Sequence, residues 1–153
     1  MSSPAAKVLY RIAAVIFEEL RFVLPGPTAN PLGNAPAAGA AVGFSGPFSG
    51  TLVLRITRDI LPMISANMLG GEPAPNMRLE HAAVGELANV ICGNVLPAMA
   101  GSDVTFQLDS PRLFEGPVPN DLAAVGALRA DICMGLDSGK AELRLFVFGE
   151  GIQ

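Results

Sequence analysis

Residues 49–56 read Ser-Gly-Thr-Leu-Val-Leu-Arg-Ile, and residues 138–145 repeat the pattern as Ser-Gly-Lys-Ala-Glu-Leu-Arg-Leu. Each is a turn that leads into a strand-like run. Each is also preceded by another strand-like run, and further upstream by a helical pattern. The chain is therefore predicted to contain two copies of a helix-plus-hairpin unit packed together.

The two hairpins extend outward from these turns. The first joins residues 41–45 to residues 51–57, and the second joins residues 128–136 to residues 141–148 around a turn at 137–139. Because hairpins link most of the strands and the helices come in separate blocks, the sheet is predicted to be mainly antiparallel. The predicted fold class is α+β, a sandwich of this sheet with long helices packed on it.

Helical spacing of apolar residues predicts a first helix over 5–23, a short helix over 59–69 and a long helix that begins near Asn76. Pro97 should kink or end the long helix, because proline lacks the amide hydrogen that the helix needs. The remaining stretches are predicted as a loop over 25–41, a strand over 104–108 and a proline-punctuated excursion over 110–119.

Composition limits the kinds of protein that this chain can be. The 153 residues predict a single domain over 1–153, and the 50% hydrophobic content leaves an apolar surplus that favours a homodimer. The net charge of −4 offers no basic stripe for nucleic acid. No sequence run approaches the roughly 18 apolar residues needed to span a bilayer. Cys92 and Cys133 lack CxxC spacing and indicate a reducing compartment, so the expected location is the cytoplasm.

The long helix carries the candidate site. Glu86 and Asn89 lie three residues apart and must share a helix face, surrounded by the small residues Ala82, Gly85 and Gly93. Each glycine costs about 1 kcal/mol relative to alanine inside a helix, so the space it leaves should be used. Docking of another protein would use that space, and so would close packing of another helix within the domain.

The opposite side of the same helix is predicted to face the core. This apolar arc comprises Ala83, Leu87, Val90, Ile91 and Val95. Asn94 falls toward the arc and is therefore predicted to be a buried, hydrogen-bonded structural residue.

Other kinds of chemistry find little support in the sequence. His81 is the only histidine, so neither a nucleophilic triad nor a metal site is expected. Gly70-Gly71-Glu72 and Gly149-Glu150-Gly151 lack the context of a phosphate-binding loop and are interpreted as turns. The pair Glu86 and Asn89 remains as the candidate active site.

Residues 86–94, Glu-Leu-Ala-Asn-Val-Ile-Cys-Gly-Asn, resemble the signature helix of the CheC/CheX/FliY family of chemotaxis phosphatases. The family motif is Asp or Ser, three residues, Glu, two residues and Asn, usually followed by Gly-Asn. The hairpin over 44–57 and the helix that ends at Asn67-Met68-Leu69-Gly70 also look like the family. The resemblance covers most of the chain from Val42 to Phe148, although only the helix motif is specific.

The resemblance implies a phosphatase that acts on the aspartyl-phosphate of a CheY-like response regulator in two-component signalling. Asn89 would position the attacking water, and Glu86 would contact the regulator's active-site lysine. Ala82, Gly85 and Gly93 would let the two backbones approach. The chain itself would bind no cofactor, because the partner regulator would carry the Mg²⁺.

Two departures from the family pattern matter. Ala82 stands where the motif has Asp or Ser, and the first helix lacks an Asn three residues after Glu18 or Glu19. A single active helix is the CheX-like arrangement, and CheX-like proteins are dimers joined by sheet edges. Two alternatives remain at this stage: a non-catalytic module that binds a response regulator or another signalling protein through the same helix, and a purely structural packing seam.

Overall fold

The sheet is built from six strands that pair antiparallel throughout. The computed structural model describes residues 3–20, 22, 32–33, 35–68, 77–123, 126–136 and 139–148. The strands in these ranges are β1 (Ala37–Ser45), β2 (Ser49–Thr57), β3 (Gln107–Leu108), β4 (Arg112–Glu115), β5 (Ala127–Leu136) and β6 (Gly139–Phe148). Their order is β3-β1-β2-β6-β5, and β4 also pairs with β1. The prediction of a mainly antiparallel sheet is confirmed.

Helices pack on one face of this sheet. They are α1 (Pro4–Glu19), α2 (Leu61–Met68) and α3 (Met77–Ala100), with a 3-10 turn at Arg58–Ile60, whereas the short α4 (Asn120–Ala123) lies on the far face. Ser3 caps α1, because its hydroxyl oxygen accepts a hydrogen bond from the Ala6 amide at 3.0 Å. α1 contacts α3 and β5, while α3 lies on β1 and β2. The α+β fold class is confirmed.

The register of the two central strands fits the predicted duplication. Leu54 and Leu143, which occupy the same place in the two copies of the repeat, pair directly with each other. The repeat aligns residue 53 with residue 142 and residue 55 with residue 144. It therefore maps the pair Val53–Arg144 onto the pair Arg55–Glu142. The two hairpins are therefore related by a local pseudo-two-fold axis between Leu54 and Leu143.

The two faces of the sheet are covered differently. The helix-side core contains Leu52, Leu54, Ile56, Leu143 and Leu145, all of them inaccessible to solvent. On the far face, a smaller apolar cluster of Ala41, Val53 and Phe146 packs against Phe114, Val118 and Leu122. The chain after β4 thus crosses the far face and completes a second, thinner layer.

Several predicted boundaries are wrong. α1 is described as helix only to Glu19, β1 already begins at Ala37, β3 has only two residues, and β4 forms inside the predicted excursion. Small residues carry little strand propensity, but Gly39 lets β1 lie directly under the ring of Phe114. Residues 23–31, which include the first seven positions of the predicted 25–41 loop, and Asn76 lie outside the described residues.

α3 continues through Pro97 to Ala100. Because Pro97 has no amide hydrogen, the carbonyl of Gly93, one turn earlier, loses its usual hydrogen bond. Gly93 has no side chain that would crowd the proline ring. The Gly101 amide then donates to the Pro97 carbonyl at 2.8 Å and closes the last turn.

By length and composition alone, residues 78–100 of α3 are long and apolar enough to cross a membrane. The expectation from the sequence that no run comes near the length of a membrane span is therefore wrong. The core helix of a soluble protein meets the same criterion, and half of the qualifying window is buried inside the fold.

Candidate functional site

The four rows of side chains along α3, each with a spacing of four residues, have different surroundings. Two rows face the core, and their buried members are Ala83, Val84, Leu87, Ala88, Ile91, Cys92, Val95 and Leu96. The third row, residues 78, 82, 86, 90 and 94, is exposed at every position. We call it the open ridge. The fourth row, residues 81, 85, 89 and 93, lies beside it, and we call it the covered ridge.

Glu86 lies at the centre of the open ridge. Its side chain is exposed, and its neighbours along the ridge are Ala82 and Val90, which are also exposed. Leu79, two turns earlier on the adjoining row, is 39% exposed. The Glu86 carboxylate thus stands among apolar side chains, with the polar residues Arg78 and Asn94 at the two ends of the ridge. Such a surface favours a partner that brings one cation into an apolar rim.

Asn89 lies on the covered ridge, three residues from Glu86. The residue is half-buried, and its Oδ1 atom is buried without a hydrogen-bond partner among the described residues. Leaving a buried carbonyl oxygen unpaired costs about 1–3 kcal/mol. Because Oδ1 is enclosed, the exposed area of Asn89 belongs to its other atoms. The structure thus brings Glu86 and Asn89 together at the border of an open helix face.

The two predicted glycines lie on either side of Asn89 along the covered ridge, and the chain itself contacts both positions. A Cβ atom at Gly85 would lie 2.9 Å from Cδ2 of Leu113 and 3.3 Å from Cβ of Pro111. A Cβ atom at Gly93 would meet only Cδ1 of Leu108, at 3.8 Å. Gly85 is buried and Gly93 is exposed. The space over Gly85 is therefore filled by this chain, whereas Ala82 and Gly93 face solvent.

The covered ridge begins at His81, close to a cluster of charged residues. Nε2 of His81 lies 3.0 Å from Oε2 of Glu115, without the alignment of a hydrogen bond, and the two form an ion pair when the imidazole is protonated. Nη1 of Arg58 donates to the same oxygen at 2.8 Å. The hydrogen bond from Arg58 holds the pKa of Glu115 below its usual range. The end of β4 is thus tied to the 3-10 turn and lies against the start of α3.

Two predictions about α3 are wrong. Asn94 is exposed, and its Nδ2 donates to the Val90 carbonyl at 2.8 Å within the helix. Val90 was expected in the core but is 38% exposed. Both residues lie on the one row of α3 that neither the sheet, the other helices nor the chain over 108–115 covers, so the apolar arc ends before this row.

The contribution of residues 108–115 was missed in the sequence. The proline-punctuated excursion was recognised, but nothing in its pattern indicates that it packs along α3. A glycine at 85 was the available signal, because a costly helix glycine marks a close approach. Within the described residues, no group of three or more His, Cys, Asp or Glu could hold a metal ion.

A family model described as chemotaxis phosphatase CheX matches residues 38–118, more than half of the chain. The match runs from β1 through α3 to the chain after β4. It thus includes Glu86, Asn89 and both glycines. The chain belongs to the CheX family. The CheC/CheX/FliY resemblance carried by residues 86–94 is thereby confirmed. Among curated proteins, none gives a significant match.

Solved structures of the CheX family share the fold over almost the whole chain. CheX from Vibrio vulnificus is 16% identical to this chain, with a TM-score of 0.71. The alignment covers 95% of this chain and 97% of the Vibrio vulnificus chain. CheX from Desulfovibrio desulfuricans is 19% identical, with a TM-score of 0.71, and covers 95% and 100%. A chain of the CheX–CheY–BeF3–Mg²⁺ complex from Borrelia burgdorferi is 14% identical, with a TM-score of 0.69. The alignment covers 94% of this chain and 97% of that chain. At these identities the comparison concerns the fold.

Proposed function

We propose that this chain dephosphorylates the aspartyl-phosphate of a CheY-like response regulator, with Asn89 positioning the attacking water and Glu86 docking the regulator. The observation that carries the proposal is the position of the two side chains. Glu86 is exposed at the centre of the open ridge, and Asn89 lies half-buried at its border. Membership of the CheX family and the CheX–CheY complex from Borrelia burgdorferi support the choice of partner.

The chemistry needs little from the phosphatase. Water attacks the phosphorus atom, the bond to the aspartate oxygen breaks, and the products are the regulator's carboxylate and inorganic phosphate. The acyl phosphate is already activated and the regulator supplies the Mg²⁺, so this chain needs only to hold a water in line. A neutral amide can do this through a hydrogen bond, and because Oδ1 of Asn89 is enclosed, the group left to meet the water is Nδ2, which donates. Glu86 would pair with a lysine of the regulator, a charge-assisted contact.

We also propose that the protein acts in the cytoplasm as a homodimer, with Ala82 and Gly93 in contact with the regulator. Both residues are exposed on α3 close to the pair. β5 has ten residues and ends the sheet order, while the opposite edge is covered by the short strands β3 and β4. A long edge strand of this kind offers backbone groups for pairing with a second chain.

The test of the catalytic role is phosphate release from phosphorylated regulators of the same cell. Asn89→Ala should lower the turnover by about 100-fold, because a positioned polar group is lost from the site of attack. Asn120→Ala is the matched control, since this exposed asparagine lies on α4, away from the two ridges of α3. If Asn89→Ala releases phosphate as fast as the wild type, the catalytic proposal is wrong.

A second candidate is a non-catalytic module that binds a regulator through the same ridge. Ala82 favours it, because the exposed position one turn before Glu86 lacks the polar group of the motif. In that case the protein would capture a regulator without changing the lifetime of its phosphorylation. Glu86→Gln would weaken this capture. A shortened lifetime would exclude this candidate.

A further inference from the structure

Residues 108–115 follow the covered ridge of α3 from end to end, and we call them the cover segment. Leu108 lies against Gly93, Pro111 and Leu113 lie against Gly85, and Glu115 reaches His81. The order of these contacts shows that the segment runs antiparallel to the helix. Asn89 lies between the two glycines on the same ridge, so it faces the middle of the segment.

The cover segment is fixed at both ends. Near its start, the Asp109 amide donates to the Gly43 carbonyl at 2.8 Å, and Leu108 pairs with Phe44 of β1. At its far end, the Glu115 carboxylate accepts a hydrogen bond from Arg58 and lies 3.0 Å from His81. β4 pairs with β1 in between. The segment is thus held by the sheet independently of its contact with α3.

We propose that the cover segment positions the amide of Asn89, and that Pro111 and Leu113 are its positioning residues. The buried Oδ1 of Asn89 supports this, because an amide with one atom enclosed loses the freedom to turn. Gly85 is the residue that permits the present contacts: a Cβ atom there would lie 2.9 Å from Cδ2 of Leu113 and 3.3 Å from Cβ of Pro111, so both side chains would have to shift. The kinetic part of this inference rests on the proposed phosphatase function, whereas the orientation of the amide does not.

The two glycines of the ridge provide a matched pair of variants. Gly85→Ala adds a methyl group against Leu113 and Pro111, while Gly93→Ala adds the same group at ordinary contact distance from Leu108. Both changes favour the helix to the same extent. In the free protein, any difference between the two variants therefore reports on the cover segment.

The first measurement uses the free protein and needs no regulator. In the wild type, the side-chain NH₂ of Asn89 should show restricted motion, measured as a high ¹⁵N heteronuclear NOE at Nδ2 and assigned by loss of the signals in Asn89→Ala. Gly85→Ala should lower this NOE toward the value of a mobile side chain, and Gly93→Ala should leave it unchanged. A mobile amide in the wild type, or equal effects of the two variants, would overturn the proposal.

The second measurement is the dephosphorylation of the regulator. Gly85→Ala should lower kcat by about tenfold with KM little changed, since small displacements of a positioning group are costly. Leu113→Ala alone should also lower kcat, because it removes one of the two positioning side chains. A change confined to KM would overturn the proposal. If the wild type releases no phosphate while the NMR result holds, only the proposed function fails.

Discussion

At the scale of single residues, Glu86 and Asn89 have different surroundings although they share one helix face. Glu86 stands in solvent, and Asn89 has one side-chain atom enclosed. The spacing in the sequence predicted that the two would be neighbours, because helix geometry fixes the angle between positions three apart. It could not predict the enclosure of Asn89, which depends on residues about twenty positions further along the chain.

Cys92, three residues after Asn89, gives a prediction about pH. Burial raises the pKa of its thiol from 9.0 to about 12. Between these values the unfolded chain loses the proton and the folded chain keeps it, so the free energy of unfolding should fall as the pH rises from about 9 to about 12, by at most about 1.4 kcal/mol per pH unit. In Cys92→Ala this fall should be smaller. Urea unfolding at pH 8, 9 and 10 measures the difference, and parallel pH profiles would contradict the prediction.

At the scale of elements, the strands and long helices were predictable, but their contacts were not. Alternation predicted both hairpins, and helical spacing predicted α1 and α3. The extension of β1 back to Ala37 escaped detection, because alanine and glycine give no periodic signal; that stretch is held between Phe114 on one side and α3 on the other. The faces of α3 were assigned from one helix alone, so Val90 and Asn94 were misplaced.

The buried ion pair between β2 and β6 is the element-scale interaction on which stability should depend most. Nη1 of Arg55 donates to Oε1 of Glu142 at 2.8 Å, both side chains are at most 4% exposed, and the guanidinium also donates to the carbonyls of Gly33 and Gly116. Glu142→Leu should lower the free energy of unfolding by about 3–5 kcal/mol, because it leaves a buried cation without its carboxylate. Urea denaturation provides the measurement.

Two further variants test that explanation. The double variant Arg55→Met/Glu142→Leu should be more stable than Glu142→Leu alone, since neither charge remains. Asp121→Asn removes one partner of the exposed pair between Arg112 and Asp121, at 2.6 Å, and should leave the free energy of unfolding almost unchanged, because water screens this pair. Additive losses in the double variant would show that the ion pair is not the cause.

At the scale of the whole molecule, the order of strands decides which edge is open. The hairpins meet at β2 and β6, where Leu54 pairs with Leu143, and this leaves β5 on the outside. The opposite edge carries the cover segment next to α3. The open ridge of α3 and the open edge at β5 therefore lie toward opposite ends of the sheet, so a dimer through β5 would leave α3 accessible.

The proposed dimer gives the prediction at this scale. Leu128 lies on β5 and is 51% exposed, so Leu128→Lys should weaken dimerisation by placing a charge at the pairing edge without disturbing the fold. Val15 on α1 is 50% exposed, and Val15→Lys is the matched control. Sedimentation velocity over a range of concentrations measures both. A monomeric wild type, or an equal effect at Val15, would contradict pairing through β5.

The sequence by itself determined the elements that depend on near neighbours: the two hairpins, the long helices, their duplication, and the pairing of Glu86 with Asn89 on one helix face. These follow from local periodicity and turn chemistry, which act over a few residues. Only the tertiary structure decided that residues 108–115 lie along α3, that Gly85 makes room for Leu113, and that the row through Glu86 stays open. Such contacts join distant parts of the chain and depend on shape and volume, which no short pattern of residues records.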